Sequence, residues 1–271
     1  MTSLALFFAA SVSLPAAIDG PIPDANLARA VKQTLKLDAQ AELKEENLKN
    51  LFILEAVGQD IADLSGLEKC PNLSLIRLSK NRIARLEPLK DLKNLQSLDL
   101  SGNAIEDLGP IAGLVKLQYL AVADNKIERL DAVANLSALA SLDAGGNRIA
   151  DLKPVGGLKK LASLYLGRNA VKDAGPIHGL TGLSTLNLSD NPLADLTPVS
   201  GLPELKLLVL ERCQVADLAP LLRAAKADAE GSKRFAPYLR LYLQGNPLSD
   251  AARNEQLPAL KATGVRVDLG K

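Results

Sequence analysis

Tryptophan is absent, and four tyrosines and four phenylalanines are the whole aromatic content of the 271 residues. Hydrophobic residues still make up 47% of the chain, most of them leucine and alanine. A single large core fills its volume with aromatic side chains, so this composition points to many thin, similar layers. There is one histidine, His178, with no second His or Cys beside it. That speaks against a zinc site and leaves a Ser-His-Asp triad only one candidate base; His178 reads as a surface residue. Neither charge sign is in excess, with 32 Lys and Arg against 31 Asp and Glu and a net charge of +1. A mixed surface of this kind argues against nucleic acid or anionic lipid as the main partner. The glycine-rich bits, AGGN (144–147) among them, lack the lysine and helix of a phosphate loop. The expectation is a non-catalytic protein without metal or cofactor.

Long hydrophobic runs are also missing, with one exception. Residues 4–17, LALFFAASVSLPAA, are too short to cross a bilayer as a helix. Followed by small residues, they predict a secretory signal peptide over 1–20, cleaved near Ala17. No Lys or Arg precedes the run and Pro15 sits close to the cleavage point, so a misplaced start or an apolar tail is the alternative. Export to the periplasm, cell surface or medium is expected if the leader functions, and a cytoplasmic location otherwise. No integral membrane segment is expected after its removal.

What the chain does have is repetition. LQSLDLSGNAI (95–105) recurs as LQYLAVADNKI (117–127), LASLDAGGNRI (139–149), LASLYLGRNAV (161–171) and LSTLNLSDNPL (183–193), with LSLIRLSKNRI (73–83) upstream and LKLLVLERCQV (205–215) downstream. One position is Asn81, Asn103, Asn125, Asn147, Asn169, Asn191 and Cys213 in turn, at a constant step of 22, and Asn246 follows 33 later. A step back from Asn81 reaches Gln59 in a degenerate copy, LFILEAVGQDI (51–61). This is the pattern L-x-x-L-x-L-x-x-N/C-x-L of leucine-rich repeats, and the resemblance covers nearly all of 51–250 in about nine copies, with a longer repeat at 214–246. In LDL (98–100) the alternation sends Leu98 and Leu100 inward and Asp99 outward, as in a short strand. Ile105, Leu108, Ile111 and Leu114 continue the inward set. The ladder amide can satisfy backbone groups of adjacent coils in an interior where unpaired polar groups are costly. Pro88, Pro110, Pro154, Pro176, Pro198 and Pro220 all fall seven after the ladder residue, on a convex return that is not a paired strand. The predicted fold is an α/β solenoid: a right-handed horseshoe with a parallel concave sheet, a helical N-terminal cap and an irregular, short-helical convex side.

Solenoid ends need covers. DANLARAVKQTLKL (24–37) places Leu27, Val31 and Leu35 on one helical face behind an Asp24 N-cap, and a second short helix is predicted within EENLKNL (45–51). IPDANLARAV, the short helix and DIADLSGLEKCPNL together resemble the N-terminal cap and first coil of bacterial internalin-like leucine-rich-repeat proteins. Lys44 stands where that cap usually has a helix-capping Thr. The cap is assigned to 21–50 and a C-terminal cap to 251–271, where Val265 and Val267 face inward in a final partial coil. Within the long repeat, a helix ending near Glu230 is predicted on the convex side; the insertion at 219–237 reads as a tolerated surface element or a second docking element. The resemblance implies recognition of protein ligands without naming one.

The register also sorts the polar residues. Cys70 and Cys213 are predicted to be buried, and at strand spacing they lie roughly 30 Å apart, too far for a disulfide. Asp63, Asp107, Asp151, Asp173, Asp195, Asp217 and Asp250 recur four after the ladder; they could attract calcium, but turn chemistry is the stronger reading. Outward strand positions lie six, four and two before each ladder residue. They include Arg77, Asp99, Tyr119, Asp143, Tyr165, Asn187, Arg240 and Tyr242, the predicted ligand-binding set, with small residues around Asp143. Tyrosine offers contact area at low entropic cost, although it is also simply a good strand-surface residue. The reading is a monomeric module that binds a protein or peptide on its concave face. A structural scaffold without a ligand, or an intracellular regulatory subunit of an enzyme, is the alternative.

Overall fold

A computed structural model describes residues 20–270; the predicted leader lies outside them, apart from Gly20. Ten three-residue strands form one parallel sheet in sequence order: β1 Ile53–Glu55, β2 Leu75–Arg77, β3 Ser97–Asp99, β4 Tyr119–Ala121, β5 Ser141–Asp143, β6 Ser163–Tyr165, β7 Thr185–Asn187, β8 Leu207–Val209, β9 Arg240–Tyr242 and β10 Arg266–Asp268. Nine follow from the repeats and the tenth is the partial coil of the tail. The register is constant at one repeat, with Leu98 opposite Leu120 and Leu120 opposite Leu142. Most coils return through a short 3-10 turn, and in Glu87–Leu89, Gly109–Ile111, Lys153–Val155 and Gly175–Ile177 a proline sits in the first turn. There the missing N–H has no partner to lose. Strands pack at about 4.8 Å while these bulkier turns need more room, and the sheet becomes the concave side.

The interior is built in layers. Leu95, Leu98, Leu100, Ile105, Leu108, Ile111 and Leu114 are all buried in one coil, and the equivalent residues repeat along the core. Between layers runs the amide ladder. Asn191 Nδ2 donates to Leu166 O of the preceding coil (2.9 Å) and to Leu188 O of its own (3.0 Å), while Oδ1 accepts from the Val171 amide (2.9 Å). Asn81, Asn103, Asn125, Asn147, Asn169 and Asn246 repeat this set. Asn81, Asn191 and Asn246 are buried and the others half-buried, a less complete enclosure than the register predicts. Cys213 reproduces only the donor half of this set. Its thiol lies 3.2 Å from Leu188 O but offers no carbonyl oxygen to the coil before it. Gln59, one step before Asn81, is exposed and takes no ladder role. No repeat precedes it, so its side chain has no coil to join.

Both ends are closed by helices. α1 (Ala25–Thr34) buries Leu27 and Val31 against the first coil. Asp24 is its N-cap: one carboxylate oxygen accepts from the amides of Asn26 and Leu27 and the other from those of Ala62 and Asp63. Burial alone would raise its pKa, yet these four amides hold it below the usual value. α2 (Glu45–Leu48) follows Lys44, and here the Asn47 side chain accepts from the Lys44 amide at 2.9 Å, satisfying the helix start without the expected threonine. In the long repeat, α3 (Ala219–Glu230) buries Leu221 and Ala225. The loop after it is gathered by Asp228, whose carboxylate accepts from Ser232, Arg234, Phe235 and Ala236, and Phe235 and Ala236 are buried. The insertion is therefore packed into the convex side. α4 (Leu257–Ala262) covers the other end with Leu257 and Leu260, and Val265 is buried while Val267 is half-buried.

Cys70 and Cys213 are both free and buried; burial pushes the Cys70 thiol up to about 12. The recurrent aspartates are turn residues. Asp63, Asp107, Asp151, Asp173, Asp195 and Asp217 each accept from the amide two residues on, at 2.6–3.0 Å. Asp250 departs from the series, since the neighbouring Ser249 hydroxyl takes over as the helix cap, accepting from Ala252 N.

Deleting one ladder amide leaves two carbonyls and an amide of the interior without their partner. Asn191→Ala is expected to destabilise the protein by about 2–3 kcal/mol, read as a lower urea midpoint. A loss well under 1 kcal/mol would show that water replaces the ladder and that it does not hold the coils together.

Candidate functional site

The concave face carries two rows of side chains, from the first and third residue of each strand. The third-residue row reads Glu55, Arg77, Asp99, Ala121, Asp143, Tyr165, Asn187, Val209, Tyr242 and Asp268 in register. Tyr119, from the first-residue row, is 41% exposed; Tyr165 and Tyr242 are half-buried. The structure therefore brings every predicted residue onto one face, spread from β2 to β9 and not gathered in a pocket. Ala121, also counted as outward, is 3% exposed: it sits between Asp99 and Asp143 on the flanking strands, whose longer side chains shade it. Gly145, Gly167 and Ser189 are buried in the same way. The small residues thus form a floor and not a contact surface of their own.

Several of these side chains first serve their own strand ends. Asp99 Oδ1 accepts from Ser101 N (3.0 Å), Asp143 Oδ1 from Gly145 N (3.1 Å), and Asn187 Oδ1 from both the amide and the hydroxyl of Ser189. Arg77 is paired with Glu55 at 2.9 Å. Asp143 is the most perturbed acid of the face: desolvation raises its pKa, the Gly145 amide opposes this, and the charges of Asp124 and Asp99 add to the rise. Tyr119 is likewise raised, by desolvation and then by Asp99 and Asp143. The centre of the sheet is a partly dry, negative surface beside an exposed phenol.

A third line of charge runs along the margin, at the residue before each ladder position, and the repeat register did not single it out. Lys80, Asp124, Arg168, Asp190 and Arg212 adopt positive φ there, as do Gly102, Gly146 and Gly245. Arg168 reaches across two coils to Asp124 (2.7 Å), and Arg212 grips Asp190 with two nitrogens. The coil between Asp124 and Arg168 carries Gly146, and a Cβ there would collide with the Asp124 carboxylate. The alternation of glycine and charged residues at this spacing was the available signal. Among the described residues no cluster of His, Cys, Asp and Glu is arranged to hold a metal ion, and no helix is long and apolar enough to cross a membrane.

A family model described as leucine-rich repeats (two copies) matches residues 93–135. Internalin C2 of Listeria monocytogenes is 30% identical, matches 74% of this chain and all of its own, and superposes with a TM-score of 0.59. A leucine-rich-repeat protein of Leptospira interrogans is 25% identical over 84% of this chain and 51% of its own, with a TM-score of 0.63. The ectodomain of an Arabidopsis thaliana receptor kinase, solved in complex with Casparian Strip Integrity Factor 2, shares the fold at 20% identity and a TM-score of 0.63 over 83% of this chain and 28% of its own. No curated protein matches the sequence significantly.

Because the Asp143 carboxyl has its pKa raised by folding, the folded protein takes up that proton before the unfolded chain does, and stability falls as pH rises through the interval. Asp143→Asn keeps the acceptor for Gly145. It is expected to raise the thermal midpoint modestly at pH 7, with the gain fading as the pH drops to the ordinary carboxylate range. A variant less stable than the parent at pH 7 would contradict the desolvation argument.

Proposed function

Given that the chain belongs to the internalin-like leucine-rich-repeat proteins, we propose that it is a non-catalytic module that binds a protein or peptide on its concave sheet. One observation carries the reading: with so few aromatics in the chain, three of four tyrosines stand on this face. Tyr119 is 41% exposed and stands beside small residues that leave its ring free on that side. Rigid amphipathic rings beside small neighbours are what interface anchors use. The long row of single side chains, without an enclosed cavity, fits an extended macromolecular surface better than a small substrate. The leader-like run at 4–17 supports export, which fractionation of tagged protein would test.

Tyr119→Ala combined with Tyr165→Ala is expected to leave the thermal midpoint nearly unchanged, since neither side chain enters the core. The same pair should weaken capture of the partner by roughly tenfold per tyrosine, about 1.4 kcal/mol each. The measurement is quantitative pull-down from the source cells, with partners identified by mass spectrometry. Recovery of the same proteins in equal yield by the double variant would rule out a concave site centred on these rings.

A further inference from the structure

The concave face changes sign along its length. Its centre carries Asp99 and Asp143, while its last two strands carry Arg240 and Arg266, which are direct partners in the β9–β10 register. Like charges placed opposite one another on paired strands are destabilising, and nothing in the described structure relieves them. Arg77, Arg168 and Arg212 each have a carboxylate partner, whereas Arg240 and Arg266 have none among the described residues. Asp268, on the same strand as Arg266, is turned to accept from Gly270 N at 2.7 Å. Both arginines are exposed.

Two shallow hollows meet at this pair. One, of about 530 Å³, is lined by Arg240, Tyr242, Lys261, Arg266 and Asp268 with the turn that follows. The other, of about 360 Å³, is lined by Lys206, Leu207, Pro237, Tyr238, Arg240 and Arg266. Together the linings hold Lys206, Arg240, Lys261 and Arg266 against the single carboxylate of Asp268. Tyr238 is 61% exposed at the rim.

We propose that this end of the sheet receives an acidic stretch of the partner polypeptide, its carboxylates held by Arg240 and Arg266 and a neighbouring apolar or aromatic side chain resting on Tyr238 or Tyr242. Planar guanidinium groups bind carboxylates through paired hydrogen bonds. The charges of Asp99 and Asp143 keep an acidic segment off the centre and confine it to this end. A flat bilayer surface cannot follow the concavity, and the apolar surface of Leu207 and Pro237 in the hollow suits a peptide side chain better than a uniformly sulfated sugar chain. The proposal rests on the reading of the concave face as the ligand site, and it fixes the direction in which a partner crosses that face.

The test uses the full chain and a fluorescein-labelled peptide of six glutamates and one tyrosine, with a six-lysine peptide and a heparin fragment of matched charge as comparisons. Fluorescence anisotropy should show saturable binding of the acidic peptide, weakening as salt is raised from about 50 to about 300 mM, and no binding of the lysine peptide. Arg240→Glu with Arg266→Glu should weaken the acidic peptide by roughly tenfold or more, and the milder Arg240→Gln with Arg266→Gln should do so in part, both with unchanged circular dichroism. Absence of acidic-peptide binding, equal binding by the variants, or tighter binding of the heparin fragment would each overturn the proposal. The two readings separate in the pull-down: loss of partner with the tyrosine variant but full retention with the arginine variants rejects the acidic segment and leaves the concave site standing.

Discussion

Successive coils of this molecule leave backbone carbonyls and amides facing one another where water has little access, and the ladder amide is the group that serves them at every step but that of Cys213. One asparagine offers two donors and an acceptor, and at each step it uses them across the same three contacts, to its own strand end, to the preceding strand end and to the amide that opens the preceding coil's turn. Without it, each layer would bury unpaired polar groups at a cost comparable to what its leucines contribute. The ladder therefore fixes where each coil meets the next, at 22 residues or at the 33 of the long repeat, and so which side chains line up along the sheet. Cys213 marks the limit of the device. A thiol donates but supplies no oxygen, and it stands at the coil that precedes the long insertion. That junction instead gains support from α3 and from Gln256, which accepts from the Leu218 amide.

A consequence is that the core makes no demand on the concave face. Outward strand residues contribute neither to the leucine layers nor to the ladder, so their identities can follow other needs. Some of those needs are local. Asp99, Asp143 and Asn187 close the strand ends, and the charged margin forms its own pairs at positions where the backbone already requires positive φ. Non-glycine residues at such φ carry a conformational cost; at Asp124, Arg168, Asp190 and Arg212 an ion pair accompanies it. The pairs are solvent-exposed and each contributes little alone. Their regular spacing along the rim nevertheless orders a row of charge beside the sheet.

Much of this was readable from spacing. The strands, the buried cysteines, the proline turns, the Asp24 cap and the extent of α3 all follow from a 22-residue step and a few capping rules, because each depends on neighbours that the repeat supplies. The aspartate series shows the same legibility, with turn acceptors at six of seven sites. The exception, Asp250, falls where the repeat gives way to the terminal helix. Side-chain reach was what spacing could not show. Arg168 bridges two coils to Asp124 because Gly146 between them has no side chain, a relation that involves three repeats at once. Ala121 is outward by alternation yet covered by its neighbours' length. The unpaired arginines at the last two strands were half visible: Arg240 stood among the outward residues and Arg266 lies between the inward Val265 and Val267, but only the strand pairing sets the two opposite each other.

The distribution of pairing along the face bears on how it would be used. Over most of the sheet, cations are matched by carboxylates one or two coils away, which makes the surface self-sufficient and weakly attractive to charge. The centre departs from this by desolvating Asp143 beside two other acids, and the end by setting two arginines opposite each other. A folded chain retains such local conflicts at the expense of stability, and sites that conflict with their own surroundings are where binding most readily provides relief. Here the two conflicts have opposite sign and lie on one continuous surface with tyrosines at or beside each. A ligand that relieved both would have to be long, extended and polar in a defined order, which is a description a polypeptide meets and a small molecule does not.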